Sequence, residues 1–130
     1  MLPTPEVVCI VRQDGTLPDC AVASLAHFAG VTYGEALAAF PRPDRVVKTG
    51  AYLTELAAAA KKLGIKTRTR KRFDLSEDTG ILHVSGADEH MVYLWAGRII
   101  EGNGECYLDP HDYLRVNKYA PQSLLMRVWA

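Results

Sequence analysis

Gln13-Asp14-Gly15-Thr16-Leu17-Pro18-Asp19-Cys20-Ala21-Val22-Ala23-Ser24-Leu25-Ala26 holds the turn-to-helix transition from which the rest of the chain can be read. Asp14-Gly15 and Leu17-Pro18 are turn signals. From Asp19 onward Val22, Leu25, Ala26 and Ala29 recur at three- and four-residue steps until Gly30 stops them, which predicts a helix. Cys20 therefore stands where that helix begins, directly after an Asp able to cap it. A thiol there faces unpaired backbone N–H groups and the positive end of the helix dipole, which favour the nucleophilic thiolate. Gln13 lies seven residues upstream, and His90 opens an expected strand far downstream.

Around this segment the chain divides into a helical first half and a strand-rich second half. Val7 to Val11 predicts a lead-in strand. Thr32-Tyr33-Gly34-Glu35 has capping-box spacing and opens a short helix through Phe40, with Pro41 and Pro43 expected to end it. Thr49 or Gly50 is expected to open a third helix, whose apolar stripe is Leu53, Leu56, Ala57, Ala60 and Leu63 and whose stop is Gly64. After this the period changes to two. Ile65 to Phe73, Gly80 to Ser85, His90 to Trp95, Arg98 to Asn103 and Ser123 to Trp129 predict strands, and Asp109-Pro110 predicts a turn of helix near Tyr113. Helices followed by mostly antiparallel strands indicate an α+β domain rather than a doubly wound sheet.

The 130 residues are expected to form one domain, 1–130, large enough to bury a core without staples. Fifteen basic and fifteen acidic residues cancel, so global charge points neither to nucleic acid nor to an anionic membrane. The basic run Lys66 to Arg72, alternating Thr with Lys and Arg, predicts an edge strand defended by charge. Cys9, Cys20 and Cys106 are odd in number and unclustered, against a disulfide framework or a zinc ribbon. Cys9 and Cys106 are read as structural, and His27 and His83 as core or packing histidines. His111-Asp112 near Cys106 lacks a third ligand of metal-site spacing, so neither metal nor cofactor is expected. With no basic, apolar leader and no run near the roughly 18 apolar residues of a membrane span, the expected compartment is the cytoplasm.

Three segments carry a resemblance. Gln13 through Ala26 resembles the nucleophile segment of the C39-like (bacteriocin-processing peptidase-like) branch of papain-like cysteine peptidases, where a Gln precedes Asp-Cys-Gly and a small-residue helix. Gly50 to Gly64 resembles that family's second helical segment, and His90-Met91-Val92-Tyr93-Leu94-Trp95 its histidine strand. The resemblance implies a papain-like fold, an N-terminal helical lobe carrying Cys20 packed on an antiparallel sheet carrying His90. It implies Cys20 as nucleophile, His90 as general base and Gln13 as side-chain donor of the oxyanion hole, beside the backbone N–H of Cys20. Losing one such donor typically costs roughly 3 kcal/mol of barrier. Ala21 departs from the family's Gly and is expected to narrow the cleft. Glu101-Gly102 stands where the family more often has Asp-Pro.

The third catalytic group is open between two residues. If Ala96-Gly97 is a two-residue hairpin turn, Trp95 faces Arg98 and His90 pairs with Asn103. Glu101 and Asn103 then share the His90 face, one diagonal and one opposite. Alignment with the family favours Glu101. Register favours Asn103, the shorter reach and the slightly preferred of the two.

The expected activity is hydrolysis of a peptide or isopeptide bond through a Cys–His acyl-enzyme, with a protein or peptide as substrate. The same site would serve an acyltransferase or transglutaminase-like reaction if an amine replaced water. A catalytically silent papain-fold binding or inhibitory protein, of the type carried by phages or mobile elements, is the alternative from another class. No transporter segment follows the last expected strand, so the exporter-processing role of part of the family is not expected.

Overall fold

A computed structural model describes residues 19–87, 89–102 and 104–129. Four helices come first: α1 (Cys20–Ala29), α2 (Tyr33–Ala39), α3 (Pro43–Thr49) and α4 (Leu53–Lys62). Strands β1 (Thr67–Arg70), β2 (Thr79–Ser85), β3 (Glu89–Trp95), β4 (Ile99–Ile100) and β5 (Cys106–Tyr107) follow, then α5 (Pro110–Asn117) and β6 (Ala120–Arg127). The strands form one antiparallel sheet in the order β1-β6-β2-β3-β4-β5. The α+β class expected from the sequence is the class observed. The expected strand Val7 to Val11 lies outside the described residues.

Alternation along the strands builds two apolar layers. Ile81, Met91, Tyr93, Ile100 and Leu125 pack with residues of α1 to α4, and Leu82, Val84, Val92, Leu94, Ile99 and Leu124 pack on the opposite face with Tyr113 and Leu114 of α5. Helix α1 is unusual among surface-derived helices because every residue from Ala21 to Phe28 is buried. Small alanines at 21, 23 and 26 let its backbone approach both the sheet and the neighbouring helices. Gly30, at φ 70°, supplies the left-handed residue that ends it.

Several local expectations need correction. Asp19 occupies the N-cap position of α1, yet its side chain caps nothing and instead accepts from the Tyr33 hydroxyl. Helix α2 ends at Ala39, before Pro41 and Pro43 as expected, but Pro43 also begins α3, a helix not expected from the sequence, at the N1 position where a missing N–H loses no intrahelical bond. Thr49 and Gly50 close α3 rather than opening the next helix; α4 starts at Leu53, with Glu55 accepting from the Tyr52 N–H at 2.9 Å. The strand expected over Arg98 to Asn103 ends at Ile100, where the Glu101 N–H turns to the Glu105 carbonyl and β5 begins. The single turn expected near Tyr113 is an eight-residue helix, its start capped by Asp109 on the His111 and Asp112 N–H groups.

The hairpin expectation holds. Trp95 and Arg98 exchange backbone hydrogen bonds of 2.8 and 3.1 Å around Ala96 and Gly97, both at positive φ as a type I′ turn requires. This sets Leu94 opposite Ile99 and Tyr93 opposite Ile100. Among the described strands the basic strand β1 lies at the edge of the sheet, as its charge pattern predicts. No helix among the described residues is long and apolar enough to cross a membrane.

Two features of this packing are testable. A Cβ on Gly80 would collide with the Leu125 backbone where β6 crosses β2, so Gly80→Ala is expected to destabilise the fold by about 2 kcal/mol in urea unfolding. His27 is buried against Tyr93, with the two ring centroids 6.2 Å apart and the rings stacked. Burial pushes its pKa down to about 4, only partly offset by the Glu101 backbone. The unfolded chain, at the ordinary value of 6.5, therefore binds a proton that the folded chain refuses. Stability is expected to fall as pH drops from 6.5 towards 4, by up to about 3 kcal/mol, and His27→Leu is expected to flatten that slope.

Candidate functional site

Helix α1 is buried from Ala21 to Phe28, and Cys20, its first residue, is half-buried with a free thiol. The Asp19 carbonyl accepts from Val22 and Ala23, so the N–H groups of Cys20 and Ala21 lie at the open end of the helix without intrahelical acceptors. His90 is the second residue of β3, just before the strand becomes wholly buried. Cys20 and His90 line the same cleft of about 240 Å³, where the thiol is near enough to help raise the pKa of the imidazole.

Glu101 follows β4 and meets His90 from the other side. The His90 Nε2 lies 2.9 Å from Glu101 Oε1 and 3.4 Å from Oε2. The Tyr113 hydroxyl, carried by α5, donates to the same Oε1 at 2.7 Å. Tyr119 stacks on the His90 ring at 5.8 Å between centroids, and Tyr113 in turn lies 6.2 Å from Tyr119. The carboxylate and imidazole are thus held on three sides, with side-chain exposures of only 23% and 17%. Glu101 occupying Nε2 leaves Nδ1 as the nitrogen for the thiol.

Charge and burial oppose each other here. Burial by itself would lower the His90 pKa. The hydrogen bonds to Cys20 and Glu101, with the charges behind them, outweigh it and push the imidazole up to about 10. Burial likewise works against the charged form of Glu101, but the His90 hydrogen bond and charge, with the Tyr113 hydroxyl, hold its carboxyl below the usual range. Burial and the adjoining Glu101 carboxylate both push the Tyr113 phenol up, so it remains a donor. Cys20, His90 and Glu101 therefore form a chain of contacts in which the central imidazole retains its proton at neutral pH.

Of the residues singled out from sequence, Cys20, His90 and Glu101 come together, whereas Gln13, Asn103 and Cys9 lie outside the described residues. His83 is not a buried core histidine; it lines the cleft and pairs with Glu89. Cys106 is exposed on β5 rather than built into the core. The opposite cleft wall is Thr49, Gly50, Ala51 and Tyr52, with Arg45 over the Tyr52 ring at 5.1 Å and ion-paired to Glu55. Ala21 lines the cleft next to Cys20. Among the described residues no three His, Cys, Asp or Glu side chains cluster as metal ligands would.

Sequence reasoning missed Tyr113 and Tyr119. The Asp109-Pro110 helix start places Tyr113 one turn inside α5, but only the packing of α5 on β3 and β4 brings its hydroxyl to Glu101. Compared with known protein families, with curated proteins and with solved structures, the chain matches none.

Removing the carboxylate tests the arrangement directly. Glu101→Gln is expected to lower the His90 pKa by one unit or more, roughly 1.4 kcal/mol of lost preference for the imidazolium, as followed by NMR of the ring protons. Tyr113→Phe is expected to shift it in the opposite sense and less, since a carboxylate freed of one donor holds the proton of His90 more tightly. An unmoved titration in both variants would mean that Glu101 does not govern His90.

Proposed function

We propose that the chain is a papain-like cysteine hydrolase that cleaves a peptide or isopeptide bond through an acyl-enzyme on Cys20. The observation that carries this reading is the contact chain Cys20–His90–Glu101, assembled from α1, β3 and the segment after β4 at one cleft. A protonated imidazole beside a thiol favours the thiolate, and a buried carboxylate behind the imidazole fixes its orientation.

In this mechanism the Cys20 sulfur attacks the substrate carbonyl carbon, and the carbonyl π electrons move onto oxygen. The helix-start N–H groups of Cys20 and Ala21 are the donors available for that oxyanion among the described residues. Gln13 is proposed as the side-chain donor on the strength of the sequence resemblance. Collapse of the tetrahedral intermediate breaks the C–N bond, and the amine leaves with the His90 proton. Water then attacks the thioester while His90 takes its proton, the C–S bond breaks, and the free acid departs. Glu101 stabilises the imidazolium and does not itself change protonation state. Ala21, with a methyl group where the resembled family has glycine, lines the cleft next to Cys20 and supports a small residue on the acyl side of the scissile bond.

Alkylation kinetics separate an activated thiol from an inert one. In a Cys9→Ser, Cys106→Ser background, iodoacetamide is expected to label Cys20 at pH 6.5 at least about tenfold faster than it labels the same protein carrying His90→Ala. Cleavage of small-residue peptide substrates is expected to fall roughly 10²–10⁴-fold in His90→Ala and to vanish in Cys20→Ala. A thiol indifferent to His90, with no turnover, would sink the hydrolase reading and leave the fold as a binding module. Consumption of substrate with amine incorporation in place of hydrolysis would redirect the same site to acyl transfer.

A further inference from the structure

Between Lys61 and Phe73 stand seven of the chain's fifteen Lys and Arg residues, and not one Asp or Glu. All seven are exposed, and none takes part in an ion pair among the described residues. For a protein of zero formal charge this is a strong asymmetry. The nearest acids offer little relief: the Asp74 carboxylate accepts from the Ser76 N–H, and that of Asp78 from the Asp74 N–H. Strand β6, which β1 pairs with, adds Arg127 opposite Thr67 and no carboxylate.

The charges sit on an open strand. Among the described residues β1 pairs only with β6, so its outer backbone groups face away from the sheet. Alternation places Arg68 and Arg70 on one face of the sheet and Thr67 and Thr69 on the other. On the Thr face lies a groove of about 670 Å³ with a floor of Ala57, Ala58 and Ile65 and a rim of Lys61 and Lys66. A strand added at this edge would lay alternate side chains over two guanidinium groups and over a shallow apolar groove.

We propose that the outer edge of β1 binds an extended acidic segment of another protein by strand addition, with carboxylates towards Arg68 and Arg70 and small apolar side chains over the groove. Main-chain hydrogen bonds supply affinity in this mode, and the alternate side chains supply selection. A second copy of the same edge is disfavoured because like charges would stand opposite one another. A single-stranded nucleic acid would meet the cations but needs aromatic platforms for its bases. The nearest exposed aromatic ring, Trp129, is already covered by Arg127 at 4.6 Å. The inference is independent of the chemistry at Cys20.

The test uses the full chain and a fluorescein-labelled Glu-Val-Glu-Val-Glu-Val-Glu peptide, read by anisotropy at low salt. Saturable binding is expected, weakened at least about tenfold by Arg68→Glu with Arg70→Glu, and weakened by added salt as exposed charge pairs are. An unchanged melting temperature of the double variant would show that the loss is not unfolding. Two further peptides, N-methylated on the valines or on the glutamates, probe the wild-type protein without any substitution; one of the two is expected to lose binding. Absence of saturable binding would overturn the proposal. So would equal affinity for all three peptides, or tighter binding of a seven-residue oligothymidylate.

Discussion

The burial of α1 against β3 is the constraint on which the remainder of the molecule depends. A ten-residue helix with eight consecutive buried residues must find neighbours on every side. It meets the sheet through Tyr93 and Met91 and the other helices through the small residues of α2 and α4. With α1 so placed, its N-terminal end borders the cleft, and the first residue there is Cys20. Because α1 packs across β3, the start of that strand falls beside the helix end. The proximity of thiol and imidazole is therefore a by-product of core packing rather than of loop arrangement, and rigid elements hold reacting groups more tightly than loops do.

A second tier of contacts determines what the imidazole can do. His90 is shared between a thiol and a carboxylate while being stacked against Tyr119, and Tyr113 shares Glu101 with it. Each group is too buried to be left unpartnered, so each partner also limits where the others can sit. The proposed hydrolase reading rests on this mutual restriction. Glu101 reaches diagonally from beyond the end of β4, which a carboxylate with two methylenes can do and which suits the early ending of that strand.

Much of this was legible in the chain itself, and the misses have physical reasons. The helix from Cys20, the capping box at Thr32, the hairpin at Ala96-Gly97 and the charged edge strand rest on local steric and periodic rules that tertiary packing did not override. Helix α3 was not legible because proline both ends and begins helices: Pro43 lies past the end of α2, as expected, and also starts α3. Asp19 was read as a cap from its position, but a tyrosine fourteen residues on offers its carboxylate a buried partner. The choice between Glu101 and Asn103 depended on how far β4 would run, a property of β5 and α5 rather than of residues 98 to 103. The aromatic cluster about His90 could not be foreseen, since it joins α5 and the start of β6 to β3 across the sheet.

The position of β6 has a consequence for how the molecule comes into being. This strand is the last of the described elements, yet it lies between β1 and β2 and, among the described residues, is the only strand joining β1 to the sheet. As the chain emerges from a ribosome, α1 to α4 can gather and β2, β3 and β4 can pair, but among the described residues β1 has no strand partner until residues 120 to 127 arrive. Tyr119 and Tyr113, which hold His90 and Glu101, are also delivered late. Such long-range closure slows folding relative to a meander of the same size. It also means that a ribosome-bound chain carries Cys20, His90 and Glu101 before it carries Tyr113 and Tyr119, so the aromatic support of the site is added after the reacting groups have emerged.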